Sequence, residues 1–206
     1  MKVVHGIAQP STPLPSIFSK IAGLLKNHYD GKHTGELHVN LPPGIVSHGE
    51  KGVRSQTIKL PNRKSTCYIN GRFDIVVSFE DGTYGVIDFK TSNPSKDSAR
   101  MYSRQLHAYA YALEHPALGK LALSPVSKLG LLYFYPDNIS QRGIERLSYE
   151  AEIIWIEIEK DERGFLKFID EVLDVLELPE APKHSPGCQW CGYITRLNDR
   201  TRQHQL

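Results

Sequence analysis

The stretch from Gly71 to Lys90 limits what this chain can fold into more than any other. Gly71-Arg-Phe-Asp-Ile-Val-Val-Ser-Phe79 alternates polar and apolar residues, and Tyr84-Gly-Val-Ile-Asp-Phe-Lys90 does so again, the period of half-buried strands. Glu80-Asp81-Gly82 between them reads as a three-residue loop, a type I turn closed by a left-handed glycine bulge. In that register Phe79 faces Thr83, Ile75 faces Ile87, and Asp74 lies opposite Asp88. Residues two apart share a sheet face, so Lys90 joins the two aspartates, while Phe73, Ile75, Val77, Ile87 and Phe89 make a core surface on the other face. A two-residue Asp81-Gly82 turn is the competing register and would part Asp74 from Asp88. The three-residue loop is preferred because it alone separates all the apolar residues from all the charged ones.

Two aspartates facing each other across a ladder repel. A hard divalent cation held by both carboxylates and flanked by Lys90 is the simplest offset. The rival reading is a cross-strand ion pair of Asp74 with Lys90 and a bystander Asp88. Further along, Gln105 and Tyr109 stand at i and i+4, on one face of a helix. By itself that spacing fits a helix core of Tyr109, Leu106, Ala110 and Leu113 with a solvated Gln105 equally well. Arg100 and Arg104 lie on or near the same face.

The pieces taken together resemble a known family. Gly71-Arg-Phe-Asp74, Ile87-Asp88-Phe89-Lys90-Thr91 and Gln105-Leu-His-Ala-Tyr109 look like motifs II, III and the Gln-x-x-x-Tyr motif of RecB-like nucleases. These belong to the PD-(D/E)xK superfamily, which includes the nuclease domains of RecB and AddB and the CRISPR-associated Cas4 proteins. The likeness runs over roughly residues 65 to 112. It implies an α/β core, a mixed central β-sheet flanked by helices. It also implies a metal-dependent DNA nuclease, with Asp74, Asp88 and Lys90 catalytic and an Mg or Mn ion held by Asp74, Asp88 and the carbonyl of Phe89. Lys90 would position the attacking water or stabilise developing charge, and Gln105 and Tyr109 would contact the DNA strand. The family usually adds a His or Glu ligand from its first helical region. Here Gly35-Glu-Leu-His38 is one residue short of the Gly-x-x-x-His pattern, and Glu50 is an equal rival, with His48 behind both.

Pro186-Gly-Cys188-Gln-Trp-Cys191 looks like the C-terminal Cys-x-x-Cys of Cas4 and AddB proteins, which hold an iron–sulfur cluster with four cysteines. This chain has three cysteines, the third being Cys67 in the strand leading to Asp74, so no four-cysteine cluster is expected within it. Zinc on Cys188, Cys191, His184 and one further residue is the alternative to a reduced tail turn, and the turn is preferred.

At 206 residues the chain reads as a single domain, with a core of about 14–178 and an irregular extension over 179–206. A formal charge of +2 gives no bulk case for nucleic acid, so a DNA-binding surface must come from local clustering. No apolar run reaches the length of a membrane span and no signal core opens the chain, which points to the cytoplasm. Expected elements are a helix from Leu14 to Tyr29, a loop from Gly31 to Gly44, and strands over Val53–Leu60, Cys67–Phe79 and Tyr84–Lys90. A helix capped by Asp97 or Ser98 and ending near His115 follows, then strands over Leu129–Tyr135 and Tyr149–Ile158 and a helix over Asp161–Leu178. The expected activity is exonuclease or end processing in recombination, repair or phage defence, with a helicase or other protein as a partner. The alternative is a nucleic-acid-binding accessory subunit with an incomplete site.

Overall fold

A computed structural model of the chain describes residues 16–180 and 182–195. Its elements are α1 (Ser16–Tyr29), α2 (Thr34–Leu37), β1 (Gly44–His48), β2 (Lys51–Arg54), β3 (Asn70–Phe73), β4 (Ile75–Phe79), β5 (Tyr84–Lys90), α3 (Lys96–Glu114), β6 (Val126–Gly143), β7 (Arg146–Ile158) and α4 (Glu162–Leu176). Five strands form one sheet in the order β1-β4-β5-β6-β7, and β2 with β3 forms a separate ribbon. The β5–β6 pair is parallel, joined through α3, and the other neighbours are antiparallel, so the sheet is mixed. Leu14, where α1 was expected to begin, and the end of the extension lie outside the described residues. Among the described residues no helix is long and apolar enough to cross a membrane.

The hairpin adopts the three-residue loop. Ile75 pairs with Ile87 and Ser78 with Tyr84. Phe79 N–H donates to Thr83 at 2.9 Å, and Gly82 holds φ +83°, which a side chain would resist. The expected strand Cys67–Phe79, however, is two strands. The ladder between β4 and β5 ends at Ile75, and the chain turns at Asp74 into β3, where Phe73 pairs with Lys51 of β2. This break carries Phe73 to the opposite side of the sheet from Ile75. Phe73 packs with Val76, Val86, Leu106 and Tyr133, whereas Ile75, Val77, Ile87 and Phe89 pack with Tyr29, Leu37 and Phe134. Both faces of β4 and β5 are therefore buried, and the half-buried expectation is corrected: helix α3 covers the face that alternation assigned to solvent.

Other boundaries shift for local reasons. Ser95, not Asp97 or Ser98, caps α3, with its side chain accepting from Ser98 N–H at 3.1 Å while Ser98 Oγ accepts from Ser95 N–H at 3.1 Å. The first strand is shorter than Val53–Leu60 because only isolated bridges at Ser55 and Ile58 follow β2. The Gly31–Gly44 segment contains the helical turn α2. Strands β6 and β7 run beyond their apolar cores and pair with each other out to Gly143 and Arg146. In the tail, residues 189–195 are helical, not irregular.

Contacts divide the chain into two compact units. The first runs to Ile58 and resumes over Cys67–Leu166; the second joins Lys59–Thr66 to the chain from Lys167 onward. Within the second, Arg63 grips Asp170 through Nε at 2.5 Å and Nη2 at 2.9 Å, and reaches Asp174 at 2.6 Å.

In the first unit, Gly130 of β6 lies beneath Trp155 of β7. A Cβ at Gly130 would stand 1.8 Å from the indole ring. Gly130→Ala is expected to lower stability by about 1–3 kcal/mol, on the order of 5 °C in melting midpoint, because the ring has to leave its place. Thermal denaturation followed by near-ultraviolet circular dichroism checks this.

Candidate active site

The break at Asp74 builds one half of the site. A continued ladder would set Phe73 opposite Phe89 and hydrogen-bond them, but Phe73 has gone to the ribbon. Phe89 N–H donates instead to Asp74 Oδ2 at 2.9 Å. In extended backbone the N–H and C=O of one residue point to the same side. The Phe89 carbonyl thus faces the edge where Asp74 sits.

Asp88 builds the other half. It lies at the end of a central strand, 3% exposed, under α3. Gln105 Nε2 donates to Asp88 Oδ1 at 3.1 Å and to Tyr109 Oη at 2.8 Å, so the i, i+4 pair on α3 acts as one unit over the carboxylate. Tyr109 is 9% exposed, and its ring fills the space where a Cβ on Gly71 would come within 2.7 Å. Asp88 Oδ2 is met by Lys90 Nζ as a close ion pair. Lys90 Nζ also sits 3.8 Å from the centroid of the Tyr102 ring. Burial pushes the Asp88 carboxyl above its usual range; Lys90 opposes this, and the charge of Asp74 adds to it.

Sequence reasoning missed Lys26. Its Nζ lies 2.7 Å from Asp74 Oδ1 and in close contact with Glu50 Oε2, while Arg72 Nη1 meets Glu50 Oε1 at 2.7 Å. Burial works against the Lys26 charge, but the hydrogen bonds to Asp74 and Glu50 outweigh it and hold the ammonium above its usual range. Lys26 and then Arg72 in turn hold Glu50 below its own. The available signal was that Leu25 and Tyr29, which flank Lys26 in α1, both pack inward.

Of the two rivals for an added acidic or imidazole group, Glu50 is brought beside Asp74 through the shared ammonium. His38 is not: its ring stacks on Trp155 at 6.1 Å and its Nδ1 accepts from Asn40 N–H at 3.3 Å. His48 turns its Nδ1 to Ser47 Oγ at 2.9 Å. Arg100 and Arg104 are exposed on α3. In the tail, Cys191 N–H donates to Cys188 Sγ at 3.4 Å, which lowers the Cys188 thiol from its usual value, and His184 Nδ1 lies 3.0 Å from the Ser185 carbonyl.

Among the described residues no three His, Cys, Asp or Glu side chains converge as a ready metal cage. The chemistry around Asp74 and Asp88 nonetheless suits a hard cation. The donors are all oxygen, the buried Asp88 Oδ2 is already faced by the Lys90 ammonium, and a second cationic Nζ stands between Asp74 and Glu50.

The sequence profile of the PD-(D/E)XK nuclease superfamily matches residues 28–196. Among solved structures the chain is similar to the crystal structure of SSO0001, at 17% identity and a TM-score of 0.45, covering 87% of this chain and 66% of that one, just under two thirds of its length. No curated protein matches. The profile match takes in every element from the last turn of α1 through the described tail, and on that span the chain belongs to the PD-(D/E)XK nuclease superfamily.

Proposed function

We propose that the chain is a metal-dependent DNA nuclease of the RecB-like kind, hydrolysing phosphodiester bonds as an exonuclease or end-processing enzyme. One observation supports the reading: Lys90 pairs with the buried Asp88 under Gln105 and Tyr109, while Asp74, just past the end of the β4–β5 ladder, accepts from the N–H of Phe89. Asp74 and Asp88 would hold Mg²⁺ or Mn²⁺, with the Phe89 carbonyl on the same edge and Glu50 within the same charge network. Such an ion, when bound, lowers the pKa of its water and neutralises phosphate oxygens. Lys90, steadied by the Tyr102 ring, brings positive charge to the phosphate undergoing attack. Gln105 is a positioning residue, since it fixes the Asp88 carboxylate through Oδ1 while Oδ2 faces Lys90. Lys26 screens Asp74 from Glu50. A cytoplasmic setting, a helicase or other partner, and work in recombination, repair or phage defence belong to the same proposal. A second reading, a DNA-binding accessory subunit, is favoured by the lack of three converging ligands among the described residues.

Labelled single- and double-stranded DNA incubated with Mg²⁺ or Mn²⁺ separates the two. Cleavage by the wild type, lowered about 10²–10³-fold in Lys90→Ala and abolished in Asp88→Asn, is the expected result. Binding without cleavage would sustain the accessory reading, and undiminished cleavage by Asp88→Asn would remove Asp88 from the site.

Stability gives a second check that needs no turnover. Because the folded Asp88 carboxyl titrates above its ordinary 3.8, its favourable contribution is complete below that value and is lost as pH rises through the raised folded value. Metal-free Asp88→Asn should therefore match the wild type near pH 4 and become level or slightly more stable toward pH 7. An Asp88→Asn protein that loses ground steadily over that range contradicts the burial argument.

Lys26→Met tests the internal cation. Without metal its melting midpoint should fall, since Asp74 and Glu50 then face each other unscreened. Added Mn²⁺ should raise that midpoint by more than it raises the wild type's. Equal metal shifts in both proteins would show that Lys26 does not compete with the ion.

A further inference from the structure

The outer face of the β2–β3 ribbon is unaccounted for by the acidic pair. Val53 and Phe73 are buried and Gly71 faces the Tyr109 ring, so the alternate positions, Arg54, Asn70 and Arg72, point outward. Tyr68, two residues before Asn70, follows the same outward series and is 50% exposed. The Arg54 guanidinium lies 4.3 Å from the centroid of the Tyr68 ring. This pair lines a groove of about 400 Å³ together with Gln56, Thr57, Leu118 and Lys120.

From the chemistry of this face we propose that it is a track for single-stranded DNA leading to the acidic pair, with Tyr68 and Arg54 as its stacking subsite. The proposal rests on the nuclease reading given above. The groove offers what a nucleotide needs: an aromatic face for the base, Gln56 and Thr57 for its edges, and Arg54 and Lys120 for phosphates. One face of the Tyr68 ring carries the guanidinium, so cation and ring form a single unit, and the ring extends the stack that a base would join. Continuity with the site is the second support. Arg72 lies on the same outward face between the groove and the acids, and its guanidinium already touches Glu50. Asn70, opposite Arg54, is four residues from Asp74 along the strand. Tyr68 is two residues further back; at about 3.3 Å per residue the six residues from Tyr68 to Asp74 span about 20 Å, or roughly six nucleotides of stacked strand at about 3.4 Å each. A strand held at Tyr68 can thus present a phosphodiester to Asp74 and Asp88 a few nucleotides away. The subsite is part of substrate binding and lies outside the bond-breaking machinery.

The test measures binding against strand length. Fluorescein-labelled oligothymidylates of 2, 4, 8 and 12 nucleotides are titrated with the full chain in EDTA, so that no cleavage intervenes, and read by anisotropy. For the wild type, affinity should climb to about 8 nucleotides. Tyr68→Ala should lose roughly tenfold on the 8-mer and nothing on the 2-mer, and Tyr68→Phe should recover the loss, since the ring and not the hydroxyl does the stacking. Arg54→Gln and Lys120→Gln, both exposed changes, should each reduce the slope of log K against log salt by about 0.7. Unaltered melting midpoints accompany these losses if the fold is intact. Identical length dependence in wild type, Tyr68→Ala and Lys120→Gln overturns the track, whatever the protein cleaves. Tyr68-dependent binding by a wild type that cleaves nothing sustains the track and overturns the nuclease reading instead. Tighter binding of oligouridylates of the same lengths would overturn the choice of DNA.

Discussion

A carboxylate buried at the end of a central strand is the constraint around which this molecule is arranged. Asp88 in water needs no partners; under α3 its charge costs free energy unless a donor and a counter-charge come with it. Gln105 supplies the donor and Lys90 the counter-charge. Both depend on the β5–α3–β6 crossover. The parallel pairing of β5 with β6 obliges the connecting chain to cross the sheet, and α3 does so over the face that bears Asp88. The Ser95–Ser98 capping box sets where α3 begins, and with it which of its residues meet the strand. The same helix seals the core with Leu106, Ala110 and Leu113, so the packing that stabilises the fold also orients the carboxylate.

Charge alternates outward from that centre. Lys90 meets Asp88, Lys26 meets Asp74 and Glu50, and Arg72 meets Glu50 in turn. Each of these anions is matched by a cation, and alternating sign runs from Asp74 through Lys26 and Glu50 to Arg72 on the exposed ribbon.

Much of this could be read from the residues alone, because it is local. The turn at Glu80-Asp81-Gly82 is dictated by the glycine, the register of Ile75 on Ile87 follows from the turn, and Lys90 joins Asp88 by the two-residue period of a strand. What escaped was non-local. Alternation through residues 71–79 is the same whether the strand stays in one sheet or passes between two, so the break at Asp74 left no mark in the pattern. The burial of Val76 and Val86 escaped for a related reason: a strand covered on both faces differs from a half-covered one only in its neighbours. Lys26 is some fifty residues from Asp74, and the apolar Leu25 and Tyr29 near it mark an inward face of α1 without telling which acids a lysine there would meet. The helical turn at 189–195 was hidden by prolines that end before it begins.

The hydrogen bond from Phe89 N–H to Asp74 bears on how loss-of-function variants at that position are to be interpreted. The carboxylate occupies the place of a missing ladder carbonyl, so it is a piece of backbone structure as well as an acid. Alanine at position 74 deletes the acid and orphans an amide at once, confounding chemistry with strand integrity. Asparagine keeps an acceptor for Phe89 and removes only the charge. Anyone comparing Asp74 with Asp88 by alanine alone would be comparing unlike injuries, and the amide exchange of Phe89 is the signal that tells them apart.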